Sequence, residues 1–248
     1  MPTPVITLAP TVPPVTVIDA PASVAATADR TDAPIRIDWV GGSDVALGDV
    51  SLPDAFARRV TSVEGRTIEV RTRTRLAVLA PGVSELIDEA VTDGTDAIVL
   101  SINLNWLHWD DVACREMTVM HEKYECLLSP ISPEISEQRA VELQELIDNA
   151  VAADVPLYVY SLPHSTDVLD NPAVADLIES AEVGVAAYDP GQPDVRFVAR
   201  VFTRDTEPFY EGVDFIDMVH PTGPGAERLA DWLAADITAF WASTGLGR

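Results

Sequence analysis

The chain has 248 residues, and 47% of them are hydrophobic, which is enough to bury the core of one large domain. It carries 40 acidic and 16 basic residues, a formal net charge of −24. Such a surface repels phosphate backbones and anionic lipid, which argues against binding to nucleic acid or to a membrane surface. No hydrophobic run approaches the length of a bilayer span, so we expect no membrane span in this chain.

The first 34 residues are rich in Pro, Thr, Ala and Val and show no periodicity. They lack the basic start and the unbroken apolar core of a signal peptide. This composition is typical of an extended linker or stalk, so we predict a linker over residues 1–34 and one domain over residues 35–248. A stalk indicates an upstream membrane domain or partner and favours an extracytoplasmic location, whereas the missing signal peptide argues for the cytoplasm.

From residue 35 onwards, strand and helix patterns alternate. Strand patterns are found in IRIDWV (35–40), RTIEVRTRTRLAVL (66–79), DAIVLSI (96–102), VPLYVYSL (155–162) and VRFVARVF (195–202). Helical spacing is found at residues 51–60, 83–94, 136–154 and 171–181 and from about 225 to 240. This alternation predicts a three-layer α/β/α sandwich with a central, mostly parallel sheet of about five strands. Ligands of such sheets bind at the carboxyl ends of the strands.

Polar residues follow two of these strands. Ser43 comes directly after the first strand, behind Gly41 and Gly42. Because glycine permits a sharp turn and leaves space around a small nucleophile, Ser43 is a candidate nucleophile, although a glycine turn with a capping serine has the same pattern. Asn103 and Asn105 follow the strand at 96–102. An amide there could donate a hydrogen bond to an oxyanion, or it could simply form a turn.

The clearest signal lies near the C-terminus, in the sequence DMVHP. His220, one of only four histidines, follows Asp217 by three residues and precedes Pro221. This spacing lets one short loop present a carboxylate and an imidazole together. Asp217 can then hold the histidine tautomer while the other ring nitrogen faces a serine. We therefore predict a catalytic triad of Ser43, His220 and Asp217.

Taken in this order, the motifs resemble those of the SGNH (GDSL-like) hydrolase family over about residues 35–245. The family's first block, usually G-D-S, corresponds to Gly41, Gly42 and Ser43, with Gly42 in place of the aspartate. Its G-x-N-D block corresponds to residues 103–106, so Asn105 matches the family asparagine, and its D-x-x-H-P block is matched in full. Its second block, which brings a glycine N–H to the oxyanion hole, should fall near residues 71–75, where the chain has no glycine.

The resemblance implies an SGNH/flavodoxin-like domain that acts as a serine esterase or O-acyltransferase without a metal or another cofactor. It implies that Asn105, with Gly42, Asn103 and Trp106, contributes to the oxyanion hole and to substrate binding. We expect the substrate to be a small-molecule or glycan ester, most simply an acetyl ester of a neutral carbohydrate or small alcohol. The motifs do not distinguish hydrolysis from acyl transfer. The alternative is a catalytically degenerate carbohydrate-binding module with the same fold.

The segment at about 105–133 is predicted to be an insertion beside the cleft. Trp106 and Trp109 could stack on a sugar ring or anchor the loop to the domain. Cys114 and Cys126 could form a disulfide or remain as two reduced thiols, and the sequence leaves both alternatives open. The histidines and aspartates of the segment have no recognised ligand spacing, so we expect no metal site there.

Overall fold

The structure, a computed structural model, describes residues 33–46, 50–75, 80–102, 141, 145, 147–161, 197–200, 213–216 and 220–246. The chain divides into two units, Met1–Thr31 and Asp32–Arg248, and every described residue belongs to the second unit. The linker over residues 1–34 and the helix at 171–181 lie almost wholly outside the described residues and stay predictions.

In the part of the chain that the structure describes, six strands form one sheet. They are β1 (Ile35–Gly41), β2 (Ser62–Val63), β3 (Arg66–Thr74), β4 (Ala97–Ile102), β5 (Leu157–Ser161) and β6 (Phe197–Arg200). Their order is β2-β3-β1-β4-β5-β6, and the four pairings β3-β1, β1-β4, β4-β5 and β5-β6 are parallel. The prediction of a mostly parallel sheet of about five strands is confirmed. The short antiparallel β2 was not predicted; it pairs with β3 through a turn at Glu64 and Gly65.

Residues next to the described helices help to define where they begin and end. They are α1 (Ser43–Ala46), α2 (Leu52–Arg59), α3 (Ala80–Thr92) and α4 (Gly223–Thr244), and residues 147–152 are also helical. The side chain of Ser51 caps α2, and Gly94, with a φ of 73°, follows the end of α3. Helix α3 begins three residues before its predicted start, and α4 extends beyond its predicted bounds at both ends. None of the described helices combines the length and apolar character that a membrane crossing requires.

Two hydrophobic clusters cover the two faces of the sheet. Alternate residues of β1, including Ile37 and Trp39, pack with side chains of α2 and α4 such as Phe56 and Trp241. On the opposite face, Val40 packs with side chains of β4, β5, α3 and the helical residues 147–152. Because successive side chains of a strand point to opposite faces, β1 contributes to both clusters. The predicted three-layer α/β/α arrangement is therefore confirmed.

One charged group lies inside this sheet. Asp38, in the middle of β1, is fully buried and forms ion pairs with Arg71 and Arg73 of β3, the latter at 2.6 Å. Arg73 also contacts Asp93 at 2.7 Å, and this hydrogen bond holds the pKa of Asp93 below its ordinary value of 3.8. The strand predicted at residues 66–79 is confirmed for residues 66–74, which form β3 beside β1.

Candidate active site

Ser43 lies at the carboxyl end of β1, the strand between β3 and β4. β1 ends at Gly41, and Ser43 begins the single turn of α1. A Cβ atom on Gly41 would lie 2.5 Å from Cγ2 of Val45 and 3.2 Å from Cβ of Ser101. The first distance is shorter than real Cβ contacts and the second is tight, so the glycine lets α1 and β4 approach each other closely. Gly42, the other predicted residue of this motif, is buried between the strand and Ser43.

His220 lies in a narrow loop whose two sides pair with each other. Phe215 and Pro221 form an isolated antiparallel bridge, and the amide of Ile216 donates a hydrogen bond of 2.8 Å to the carbonyl of His220. The Phe215 side chain is fully buried in the cluster that also contains side chains of α2 and α4. The backbone of His220 is therefore held by hydrogen bonding to a segment that is itself anchored in the core.

The start of α4 closes the base of this loop. The amide of Thr222 donates to the carbonyl of Asp214 at 2.8 Å, and its hydroxyl donates to the carbonyl of Val213 at 2.6 Å. The same hydroxyl caps α4 by accepting from the amide of Gly225 at 3.1 Å. The Asp214 carboxylate is buried and pairs with Arg228 of α4 at 3.1 Å. The loop and the helix thus form one hydrogen-bonded unit.

The structure brings two of the predicted site residues together. Oγ of Ser43 lies 2.9 Å from Nε2 of His220, although the residues are 177 positions apart, and the pair is partly buried. When Nδ1 carries the proton of the neutral ring, Nε2 accepts the hydrogen bond from the serine hydroxyl. A nucleophile and a base within hydrogen-bond reach of each other form the arrangement required for nucleophilic catalysis.

The other predicted site residues lie outside the described residues. They are Asp217, Asn103, Asn105 and Trp106. Their places in the site, and the predicted triad and oxyanion hole, stay predictions. The same holds for Cys114 and Cys126 and for the insertion at about 105–133. Among the residues that the structure does describe, no three His, Cys, Asp or Glu side chains are grouped as a metal ion would require.

Two features of this site were not predicted from the sequence. One is Ser101, a buried polar residue near the end of β4 that lies against Gly41. A polar residue inside a continuous apolar strand was the available signal. The other is the ion pair between Asp214 and Arg228, which no local pattern indicates because its partners lie in a loop and a helix.

Comparison with known proteins identifies the fold. No family profile and no curated protein matches the chain in sequence. Among solved structures, the acetyl xylan esterase AlAXEase matches with 12% identity and a TM-score of 0.57, over 82% of this chain and 100% of that one. A family 3 carbohydrate esterase of Clostridium thermocellum matches with 15% identity and a TM-score of 0.52, over 83% and 98%. A protein of Desulfitobacterium hafniense assigned to the G-D-S-L lipolytic family matches with 11% identity and a TM-score of 0.52, over 81% and 98%.

These neighbours share one architecture with the present chain at low sequence identity. The chain therefore has the fold of the SGNH (GDSL-like) hydrolases, as the resemblance of its motifs implied. In this fold Ser43 and His220 meet at the carboxyl end of the sheet, which is where parallel α/β sheets bind ligands.

Proposed function

We propose that this protein is a serine esterase in which Ser43 is the nucleophile and His220 is the general base. The observation that carries the proposal is the 2.9 Å contact between Oγ of Ser43 and Nε2 of His220 at the end of β1. The fold supports it, because structural neighbours include carbohydrate esterases and a G-D-S-L lipolytic protein. At 11–15% identity the neighbours support the architecture, and the contact between Ser43 and His220 supports the chemistry.

The reaction follows from this geometry in two balanced steps. Oγ of Ser43 attacks the ester carbonyl while Nε2 of His220 accepts the hydroxyl proton, and collapse of the tetrahedral intermediate transfers that proton to the leaving alcohol. Water then attacks the acyl-enzyme, gives a proton to His220, and releases the acid as Ser43 regains its proton. Asp217 is proposed to accept the Nδ1 hydrogen bond and so hold the tautomer that this cycle requires.

The oxyanion hole is proposed to contain the backbone N–H of Ser43 and the side-chain amide of Asn105. Each such donor contributes about 2.7–4 kcal/mol to stabilisation of the transition state in serine hydrolases. Gly42, Asn103 and Trp106 are proposed to border the same cleft. Residues 71–74 lie in β3, and no glycine of this segment supplies the N–H of the family's second block.

The proposed substrate is an acetyl ester of a neutral carbohydrate or small alcohol. The formal net charge of −24 disfavours the approach of polyanionic glycans, whereas neutral esters experience no such repulsion. Two of the structural neighbours are named for esters of this class, an acetyl xylan esterase and a carbohydrate esterase. Hydrolysis is the proposed reaction, and transfer of the acyl group to a sugar hydroxyl is an alternative outcome of the test.

Labelling with a fluorophosphonate probe tests the nucleophile. We expect the wild-type protein and Ser62→Ala, a control at an exposed serine of β2, to be labelled, and Ser43→Ala to remain unlabelled. Labelling of Ser43→Ala at the wild-type rate would contradict the assignment. Incubation with p-nitrophenyl acetate and neutral oligosaccharides, followed by mass spectrometry, then identifies the reaction. Free acetate supports hydrolysis and acylated sugar indicates transfer. An unlabelled wild-type protein that releases no acetate would favour the binding module.

A further inference from the structure

The ion pair between Asp214 and Arg228 connects the loop that carries His220 to α4. Nη1 of Arg228 lies 3.1 Å from Oδ2 of Asp214, whose side chain is only 6% exposed, against 29% for Arg228. The guanidinium carbon of Arg228 also lies 5.9 Å from the ring centroid of Trp232, one turn further along α4. The guanidinium is therefore held by a carboxylate and by an aromatic ring, which restricts its orientation.

The backbone connects this pair to His220 by a short path. The carbonyl of Asp214 accepts from the amide of Thr222, and the amide of Ile216 donates to the carbonyl of His220, both at 2.8 Å. Between these bonds, Phe215 and Pro221 form the antiparallel bridge. These two hydrogen bonds join the two sides of the loop. A displacement of Asp214 therefore displaces the backbone of His220 as well.

The backbone of the loop lies in close contact with the start of α4. A Cβ atom on Gly225 would lie 1.9 Å from the carbonyl oxygen of Asp214, so the loop backbone rests directly on the first turn of the helix. The helix itself is held by other contacts, because Leu229, Leu233 and Trp241 are buried along its length. Loss of Arg228 should therefore loosen the loop and leave α4 packed.

We propose that the Asp214–Arg228 ion pair is a positioning pair that holds the imidazole of His220 at hydrogen-bond distance from Ser43. Its consequence for the rate rests on the proposed function, whereas its consequence for the geometry does not. A shift of about 1 Å in a catalytic group can cost about 100-fold in rate, so even a small movement of the loop has a measurable effect. The pair acts through His220 and does not itself contact the reacting atoms.

The kinetic test compares Arg228→Gln and Arg228→Lys with a matched control, Arg59→Gln. Arg59 also pairs with an aspartate of α4, Asp231, but on the side of the helix that faces α2. Rates are expressed per active site titrated with the fluorophosphonate, so that unfolded protein does not count. We expect Arg228→Gln to lower kcat at least about tenfold with little change in KM. Arg228→Lys should give an intermediate loss, because lysine keeps the charge but lacks the planar fork, and Arg59→Gln should match the wild type.

The spectroscopic test needs no turnover. The Nε2 signal of His220 in a ¹⁵N spectrum is identified by its loss in His220→Gln, and its shift in Ser43→Ala shows the contribution of the serine hydrogen bond. We expect the signal in Arg228→Gln to move towards its position in Ser43→Ala, and to stay at the wild-type position in Arg59→Gln. A wild-type position in Arg228→Gln, or a wild-type kcat per titrated site, would overturn the positioning role.

The two proposals fail in different ways. If the wild-type protein is neither labelled nor active, the proposed function fails, and the ¹⁵N spectrum still decides whether the ion pair positions His220. If Arg228→Gln does not fold, Asp214→Asn carries the test, because it also removes the ion pair, which Arg228→Lys can retain. Wild-type kinetics per site and a wild-type His220 signal in Asp214→Asn would then overturn the inference.

Discussion

Two polar residues, one in β1 and one just beyond its end, differ in burial and in their partners. Asp38, in the middle of the strand, is fully buried, and two arginines of the neighbouring strand neutralise its charge. Ser43, just beyond the end of the strand, is partly buried, and its hydroxyl forms a hydrogen bond with the imidazole of His220. The difference shows how one strand can contribute to stability along its length and to chemistry at its end.

The physical reason lies in the coverage of the sheet. A central parallel strand is enclosed by its two neighbours and by helices on both faces, so a charge there must find its partners inside the protein. At the carboxyl end the enclosing elements diverge into loops, and a polar side chain can meet a ligand. Variants at the two positions should therefore separate stability from activity.

The largest expected effect is that of Ser43→Ala on activity. Removal of the proposed nucleophile should lower kcat for p-nitrophenyl acetate by at least about 10⁴-fold. The free energy of unfolding in urea should stay within about 1 kcal/mol of the wild type, because only one hydroxyl and its hydrogen bond to His220 are lost. Residual activity above about one hundredth of the wild type would remove Ser43 from the mechanism.

Asp38→Ala should have the opposite effect. The change leaves Arg71 and Arg73 without the carboxylate that both contact inside the sheet, and breaking a buried pair of this kind costs about 3–5 kcal/mol. Asp231→Ala is the matched control: it breaks an ion pair whose aspartate is 66% exposed, at a cost of at most about 1 kcal/mol. Urea unfolding measures both variants. Equal losses in the free energy of unfolding of the two variants would contradict the view that burial of Asp38 makes its ion pairs important for stability.

Gly41→Ala tests the junction between the two regions. Its Cβ would meet Val45 at 2.5 Å and Ser101 at 3.2 Å, so we expect a loss of stability of about 1–3 kcal/mol. Because α1 must shift, kcat per titrated site should fall as well. Gly223→Ala is the control, since its nearest neighbour would be Val50 at 3.8 Å, an ordinary contact. Unchanged stability and kcat in Gly41→Ala would show that α1 and the end of β4 can move apart without consequence.

The smallest effect concerns the exposed ion pairs between α2 and α4 and their response to pH. Hydrogen bonds from Arg58 and Arg59 hold the pKa of Glu227 below its ordinary 4.5, and a hydrogen bond from Arg59 holds that of Asp231 below 3.8. Both pKa values are lower in the folded state. The stability they contribute is therefore present above their ordinary pKa values and is lost as the pH falls through the lowered ones.

Arg59→Gln should make the stability of the protein less dependent on pH in this acid range. Urea unfolding at a series of pH values from about 2 to 6 measures the slope, which should be smaller for the variant than for the wild type. Identical slopes would show that the exposed pairs contribute nothing to acid stability. Activity per titrated site should be unaffected, because these pairs lie between α2 and α4.

Much of the fold could be predicted from the sequence, because its signals are local. The apolar run at 96–102 forms β4, Ser51 caps α2, and Gly94 follows α3, each determined by residues next to one another in the chain. The two-residue β2 was missed because two residues show no periodicity. Residues 66–74 were correctly predicted as a strand, because the period-two pattern of their side chains is also a local signal.

The site, like the fold, has features that depend on neighbouring residues and others that depend on tertiary contacts. The sequence by itself determined that Ser43 follows a buried strand behind glycines and that His220 precedes a helix, because a turn and a helix start depend on neighbouring residues. Only the tertiary structure decided that their side chains meet at 2.9 Å, and that Arg228 contacts Asp214. Those contacts depend on which strand lies beside which, in what register, and on how α4 packs against the sheet. These are properties of the whole core, and no local pattern of residues specifies them.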